Sequence, residues 1–216
     1  MIKAVSFDIG GTLIKHTDKT SIRNILSDYY DVPVLLFNTA YRKHFIEKQD
    51  TIENFCKSIG CNNTSELVAI VTSYYMEKPK GVLYDDVADV VKKLVERGLY
   101  LLTFSNKSYL NPYCMETYGM GKYFKAEVYS YQIGYSKPDI KAFYKVQKNI
   151  DLEPNEIIHI GNSVKSDIIG AKSAGWHTVL IQRSDEKKSS NLIRPKEADF
   201  IVSNLYQLLQ ILDNLS

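Results

Sequence analysis

Residues 1–16 read MIKAVSFDIGGTLIKH. Ile2 to Phe7 form a short, mostly apolar run that stops at the acidic Asp8, and two glycines follow at Gly10 and Gly11. A run of this length reads as a buried strand. Paired glycines permit tight backbone geometry directly after it, and a positive φ is expected at Gly10. An acidic side chain is thereby held at the end of a strand, beside a turn. What that carboxylate serves is decided by the remainder of the chain.

From about Ser21 to Met76 the pattern is helical throughout. Apolar residues recur at helix spacing in SIRNILSDYY, VLLFNTAYRKHFIE, TIENFCKSI and SELVAIVTSYYM, with no strand-like alternation between them. The segment KPKGVLYDD closes this block, and its Pro79 and Gly81 read as a hinge. After it the texture changes. Asp85 to Arg97 reads as a helix ended by Gly98, and LYLLTFS reads as a buried strand. A helix carrying Pro112 is expected next, then a strand at AEVYS, a helix at KPDIKAFYKVQKN and a strand at IIHI. The helix VKSDIIGAKSAG, strands HTVLI and DFIV, and the helix NLYQLLQILDNL complete the order.

Strands alternating with helices define an α/β fold with a Rossmann-like parallel sheet core. The expected division is a core of residues 1–15 and 80–216 with an all-helical cap of residues 16–79 inserted into it. Two chain crossings join the pieces, so motion of the cap against the core is expected. In such sheets ligands bind beyond the carboxyl ends of the strands. Asp8, Ser105 and Asn162 each fall just past a strand, so convergence on one edge is expected.

Composition narrows the classes. The chain has 216 residues, 44% of them hydrophobic and 24% charged, as in ordinary globular proteins. A formal net charge of +2 provides no basic field for nucleic acid. Lys187 and Lys188, in a polar stretch from Ser184 to Pro195, read as a solvated surface loop. No apolar run approaches the length of a membrane span, and no signal peptide is seen before the first strand. Cys56, Cys61 and Cys114 lack metal or redox spacing, and their odd number argues against a disulfide framework. A cytoplasmic protein, monomer or homodimer, with no nucleic-acid or membrane partner is expected.

Four stretches carry the chemistry: FDIGGT (Phe7–Thr12), LLTFSN (Leu101–Asn106), YSKPD (Tyr135–Asp139) and HIGNSVKSDIIGAKSAGW (His159–Trp176). In this order they resemble the haloacid dehalogenase-like superfamily, over the whole chain. Actin-like sugar kinases also place Asp-x-Gly-Gly-Thr after a first strand, but they are built on two related α/β domains and predict neither Lys-Pro-Asp nor the last stretch. A nucleotide P-loop is excluded because no Gly-Lys-Ser/Thr follows the glycines.

The resemblance implies roles. Asp8 would be the nucleophile that forms an aspartyl-phosphate. Ser105 would hold a phosphoryl oxygen while capping the helix expected after it. Lys137 would neutralise charge at the reacting centre, with Pro138 keeping it out of helical conformation and Asp139 capping the next helix. Thr12, Asn106 and Arg42 would contact substrate. A magnesium ion would be held by Asp8, the Gly10 carbonyl, Asn162 and Asp167. Gly170, Ala171 and Ala174 read as close helix–sheet packing, and Trp176 as core or rim. Tyr29, Tyr30, Tyr41, His44 and Phe45 are candidates for a pocket wall.

Two positions depart from the family pattern. Gly10 stands where a second Asp usually acts as general acid and base. Asn162 stands where an Asp usually binds the metal, so weak magnesium binding is expected. The expectation is a hydrolase, a phosphatase of a small phosphate ester acting through Asp8. Two other readings stay open: a phosphate-binding or regulatory protein without catalysis, and a dehalogenase-like enzyme attacking carbon, with Arg42 on the substrate carboxylate.

Overall fold

The computed structural model describes residues 1–17, 21–61, 63–76, 81–183 and 195–215. Six parallel strands make the sheet, in the order β5-β4-β1-β6-β7-β8. They are β1 (Ala4–Phe7), β4 (Tyr100–Ser105), β5 (Ala126–Tyr129), β6 (Ile157–Gly161), β7 (His177–Ile181) and β8 (Phe200–Val202). The chain starts in the middle at β1, builds outward through β4 and β5, then returns beside β1 with β6 and continues to β8. The order therefore reverses at β1, and a crevice opens at the carboxyl ends of its neighbours, where ligands bind in sheets of this kind.

The alternation of side chains sorts the core into two layers. Val5 and Phe7 of β1 pack with Leu101, Ile158, Ile160 and Val179 against helices α5 (Val87–Glu96) and α9 (Tyr206–Asn214). Ala4 faces the other way, with Leu102, Phe104 and Ile157, against α7 (Ile140–Ile150) and α8 (Ile169–Ser173), and Ile133 of the short α6 (Ser130–Ile133) packs against this layer. Both faces of the strands are buried, which is why they read as continuous apolar runs and not as alternating ones. Trp176 lies in the second layer, 1% exposed. Asp139 caps α7 as expected, accepting from Lys141 N at 2.9 Å.

Between β1 and the rest of the sheet lie α1 (Ile22–Tyr29), α2 (Val34–Tyr41), a wider helical turn (Arg42–Ile46), α3 (Ile52–Ser58) and α4 (Thr64–Met76). No strand occurs among the described residues from Ser21 to Met76. The helices share their own core, in which Phe37, Tyr41, Phe45, Phe55 and Leu67 interlock. Ser21 and Thr51 cap α1 and α3 through their hydroxyls. None of these helices, nor any other among the described residues, is long and apolar enough to cross a membrane.

Four expectations change. The hinge segment is not a bare turn, since Gly81–Leu83 forms β3, antiparallel to β2 (Ile14–His16); its Pro79 lies outside the described residues. The positive φ belongs to Gly11 (75°) and not to Gly10. The helix expected after Ser105 is absent, with only short 3₁₀ turns at Met115–Tyr118 and Gly121–Tyr123. Here Ser108 and Asn111 bond back to nearby backbone, Leu110 N donating to Ser108 Oγ (3.2 Å) and Tyr113 N to Asn111 Oδ1 (3.0 Å). Such local bonds compete with a helix, and Pro112 removes a further donor. Finally, Gly170 abuts Phe143 of the adjoining helix rather than the sheet. The expected surface loop with Lys187 and Lys188 lies outside the described residues. All three cysteines are free thiols.

One buried ion pair ties the turn after β1 to both ends of the fold. Arg183 donates to Asp86 Oδ2 (2.6 Å) and to the Thr12 carbonyl (2.6 Å), and Leu205 N donates to the same Asp86 oxygen (2.7 Å). Removing one partner strands a buried charge. Asp86→Ala is expected to lower unfolding free energy by about 3–5 kcal/mol. Urea titration checks this, and a loss under 1 kcal/mol would remove the pair from the account.

Candidate active site

Three neighbouring strands deliver three functional groups to one place. Asp8 follows β1, Ser105 ends β4 and Asn162 follows β6. All three border a cavity of about 890 Å³ at the carboxyl edge of the sheet, together with Gly10, Asn106, Lys137 and Asp167. The turn that presents Asp8 closes on itself, with Leu13 N donating to Ile9 O (2.9 Å) and Gly11 N to Ile14 O (2.8 Å). Gly11 takes the left-handed conformation this requires.

Lys137 lies at the centre, 1% exposed. Its ammonium donates to Asp8 Oδ1 (2.8 Å), Asp167 Oδ1 (2.6 Å) and the Phe104 carbonyl (2.7 Å). Three donors thus meet three acceptors, which is what permits a lysine to remain charged out of water. The backbone of Lys137 is fixed by Asn106. Its side-chain oxygen accepts from Lys137 N (2.8 Å), and its amide donates to Lys137 O (2.7 Å). Asn106 borders the cavity, as expected of a substrate contact, but both ends of its side-chain amide are engaged by the lysine backbone.

Asp167 comes from a π-type turn, Val164–Ile168, capped by Ser163. Its Oδ2 accepts from Ser163 N at 2.9 Å. A Cβ on Gly161 would fall 2.3 Å from this carboxylate, so only glycine at the end of β6 lets Asp167 reach Lys137. The buried His159 stands behind it, with Nε2 3.5 Å from Asp167 Oδ1 and Nδ1 2.9 Å from Ser6 Oγ. Sequence reasoning missed both His159 and Ser6. Each sits inside a strand that reads as apolar, and only the β1–β6 register, which pairs them, makes them partners.

The cluster carries two carboxylates and one ammonium. Burial, reinforced by Asp167 and only partly offset by Lys137, pushes the Asp8 carboxyl up to about 6. Burial works the same way on Asp167, but Lys137 and then His159 outweigh it and hold its carboxyl well below the ordinary range. Burial works against the charge of Lys137, yet the two carboxylates hold it above its usual value. Burial pushes His159 down, toward the neutral ring. Asp8 is thus the member whose negative charge is least compensated.

The other expected residues divide. Arg42 borders the cavity, but its guanidinium donates to Glu47 Oε1 (2.7 Å) and Ser136 Oγ (2.5 Å). Thr12 is fully buried, its hydroxyl finds no partner among the described residues, and it does not border the cavity; its carbonyl serves Arg183. Of the five aromatic and histidine candidates only Tyr41 reaches the cavity. Phe45 packs in the helical core, His44 bonds Asp50 (2.8 Å), and Tyr29 is exposed. The wall is supplied instead by Tyr74, Tyr75, Tyr113 and Tyr118, with Arg23 and Lys107. No motif marks these scattered positions. Among the described residues no group of three or more His, Cys, Asp or Glu is arranged to hold a metal.

A six-stranded parallel sheet with an aspartate after its first strand, an inserted set of helices and a buried lysine defines a class of hydrolase. The chain belongs to the haloacid dehalogenase-like hydrolases, whose family model matches residues 2–175. It is 24% identical, over its whole length and 99% of the relative's, to the glyceraldehyde 3-phosphate phosphatase of Methanopyrus kandleri. Its fold is similar to that of a 2-haloacid dehalogenase from Pseudomonas syringae pv. Tomato (TM-score 0.71, 19% identity, all of both chains). It is likewise similar to that of a HAD phosphatase from Thermococcus onnurineus (TM-score 0.65, 22% identity, 98% of both chains).

The uncompensated charge of Asp8 has a measurable consequence. In the folded chain its carboxyl titrates at about 6, against 3.8 ordinarily. The native state therefore holds a proton that the unfolded chain releases between those values. Stability is withdrawn as pH rises from about 4 to 6, and the full penalty applies above that. Asp8→Asn removes the charge. The variant is expected to be more stable than the parent by about 1–3 kcal/mol at pH 8, with the gain vanishing near pH 4. Unfolding curves in chelator at the two pH values check this, and equal gains at both would contradict it.

Proposed function

We propose that the chain is a phosphohydrolase that cleaves small phosphate esters through an aspartyl-phosphate on Asp8. The observation that carries this reading is the buried Lys137 ammonium 2.8 Å from Asp8 Oδ1, both residues bordering the cavity. One oxygen of Asp8 is held by the lysine, and the other is left to attack phosphorus. The P–O bond to the leaving group breaks as the acyl phosphate forms, and attack by water then frees inorganic phosphate and the carboxylate. Lys137 offsets the charge of the reacting group. The Ser105 hydroxyl, at the end of β4 and on the border of the cavity, would donate to a phosphoryl oxygen.

The donor set fits a divalent cation, with reduced charge. Asp8, the Gly10 carbonyl and the Asn162 side chain would hold magnesium as one anionic and two neutral oxygens, and Asp167 already accepts from Lys137 and Ser163. Such an ion supplies positive charge beside the phosphoryl oxygens. The phosphatase relative supports phosphate esters as the substrate class. The dehalogenase-like reading has less behind it, because Arg42 is engaged by Glu47 and Ser136.

A screen of phosphate esters and acyl phosphates, with and without magnesium, tests the reading. Phosphate release is expected and should fall to background in Asp8→Asn. Release that survives this change would refute the aspartyl-phosphate, and no release from any compound would favour a non-catalytic phosphate-binding protein.

Asn162→Asp adds a carboxylate to the proposed cation site. It is expected to tighten magnesium binding about tenfold or more, ~1.4 kcal/mol, by calorimetry. Equal affinities would place Asn162 away from the metal.

A further inference from the structure

Two residues after Asp8, where the family pattern has an acid/base carboxylate, this chain has Gly10. The end of the His16 ring lies against the point where such a side chain would begin. A Cβ built on Gly10 would stand 2.8 Å from Nε2 of His16 and 3.5 Å from its Cε1, with no other atom of a described residue within 4 Å apart from its chain neighbours. The ring arrives there through local structure. The closed turn of residues 9–14 reverses the chain, and β2 runs out along β3 with His16 opposite Gly81. The His16 side chain is thus brought back over Gly10 and, like Asp8, borders the cavity. His16 is solvent-exposed and owes its place to the turn rather than to core packing.

We propose that His16 is the general acid and base of this site, acting from β2 in place of the missing carboxylate. The inference rests on the phosphohydrolase reading above and names the residue that completes it. As Asp8 attacks and the P–O bond breaks, the Nε2 proton of the imidazolium passes to the leaving oxygen, which departs as an alcohol. The neutral ring then takes a proton from water as that water attacks phosphorus. The bond to Asp8 breaks, phosphate leaves and the imidazolium is restored. Imidazole is the side chain most often used for such transfers, which contribute roughly 100- to 10,000-fold. The same geometry gives a reason for Gly10. Its φ is not positive, so the backbone does not demand glycine, but any Cβ would press on the ring in its present place. A side chain at position 10 would therefore oblige the exposed imidazole of His16 to leave its present place.

The test compares two esters of similar shape, para-nitrophenyl phosphate and phenyl phosphate, in the full-length protein and in His16→Ala, Gly10→Asp and the double variant Gly10→Asp/His16→Ala. His16→Ala is expected to lose about 100-fold or more on phenyl phosphate, whose leaving group needs the proton. On para-nitrophenyl phosphate it should give a stoichiometric burst of nitrophenol followed by slow turnover, because the phosphoenzyme forms but lacks its base. The double variant should recover at least tenfold on phenyl phosphate, while Gly10→Asp alone should gain nothing. Unchanged rates in His16→Ala overturn the inference. So do equal losses on both esters with no burst and no recovery in the double variant, the signature of a structural role. Exposure of His16 predicts an unchanged melting temperature for His16→Ala, and a fall of several degrees would also mark a structural role. Release that persists in Asp8→Asn, or is absent in the parent, overturns the phosphohydrolase reading itself, and this inference with it. Loss in Asp8→Asn alone, with His16→Ala unaffected, overturns only the role of His16.

Discussion

The buried Lys137 ammonium is bonded to two carboxylates and a carbonyl, and much of the irregular structure nearby keeps it there. A lysine in such a place is tolerable only while all three acceptors stay within reach. Asp8 is supplied by a turn that needs the left-handed Gly11. Asp167 is supplied by a π-type turn that needs Gly161 to have no side chain. The lysine backbone is clamped on both sides by Asn106. Each device pins one group, and each comes from a different strand end.

The charge balance of this cluster links stability to chemistry. One ammonium cannot satisfy two carboxylates, and the surplus falls on Asp8, the one nearer the cavity. A carboxylate held at about 6 is a stronger base, and a stronger nucleophile, than an ordinary one. On the proposed function, the same surplus would attract a cation or the electrophilic phosphorus of a bound ester. Asp167, held far below the usual range, keeps the lysine in register and remains ionised throughout. Two aspartates of the same chemistry are thus separated by their surroundings.

The sequence was most legible where one segment carried its own signal. The strand–helix alternation, the helical run from Ser21 to Met76, the cap at Asp139 and the ordered motifs around Asp8, Lys137 and Asp167 are local patterns set by periodicity and turn chemistry. Where reading failed, a competing local force or a distant partner had decided. Short bonds from Ser108 and Asn111 displaced the helix expected after Ser105. Pairing with Ile14–His16 turned the hinge at Gly81 into a strand.

The sequence by itself determined the class of fold and the family, and singled out Asp8 as the carboxylate after the first strand, because each depends on short spacings along the chain. Tertiary structure alone decided what surrounds them. Asn106 became a clamp for Lys137, Arg42 was taken up by Glu47 and Ser136, His159 joined Ser6 behind Asp167, and tyrosines from α4 and from the segment after β4 made the cavity wall. It also laid His16 over Gly10, six positions further on, so that the present side chain lies against the point where the missing one would begin. Contacts of this kind are fixed by strand register and by the closure of a turn, and no spacing within a motif encodes them.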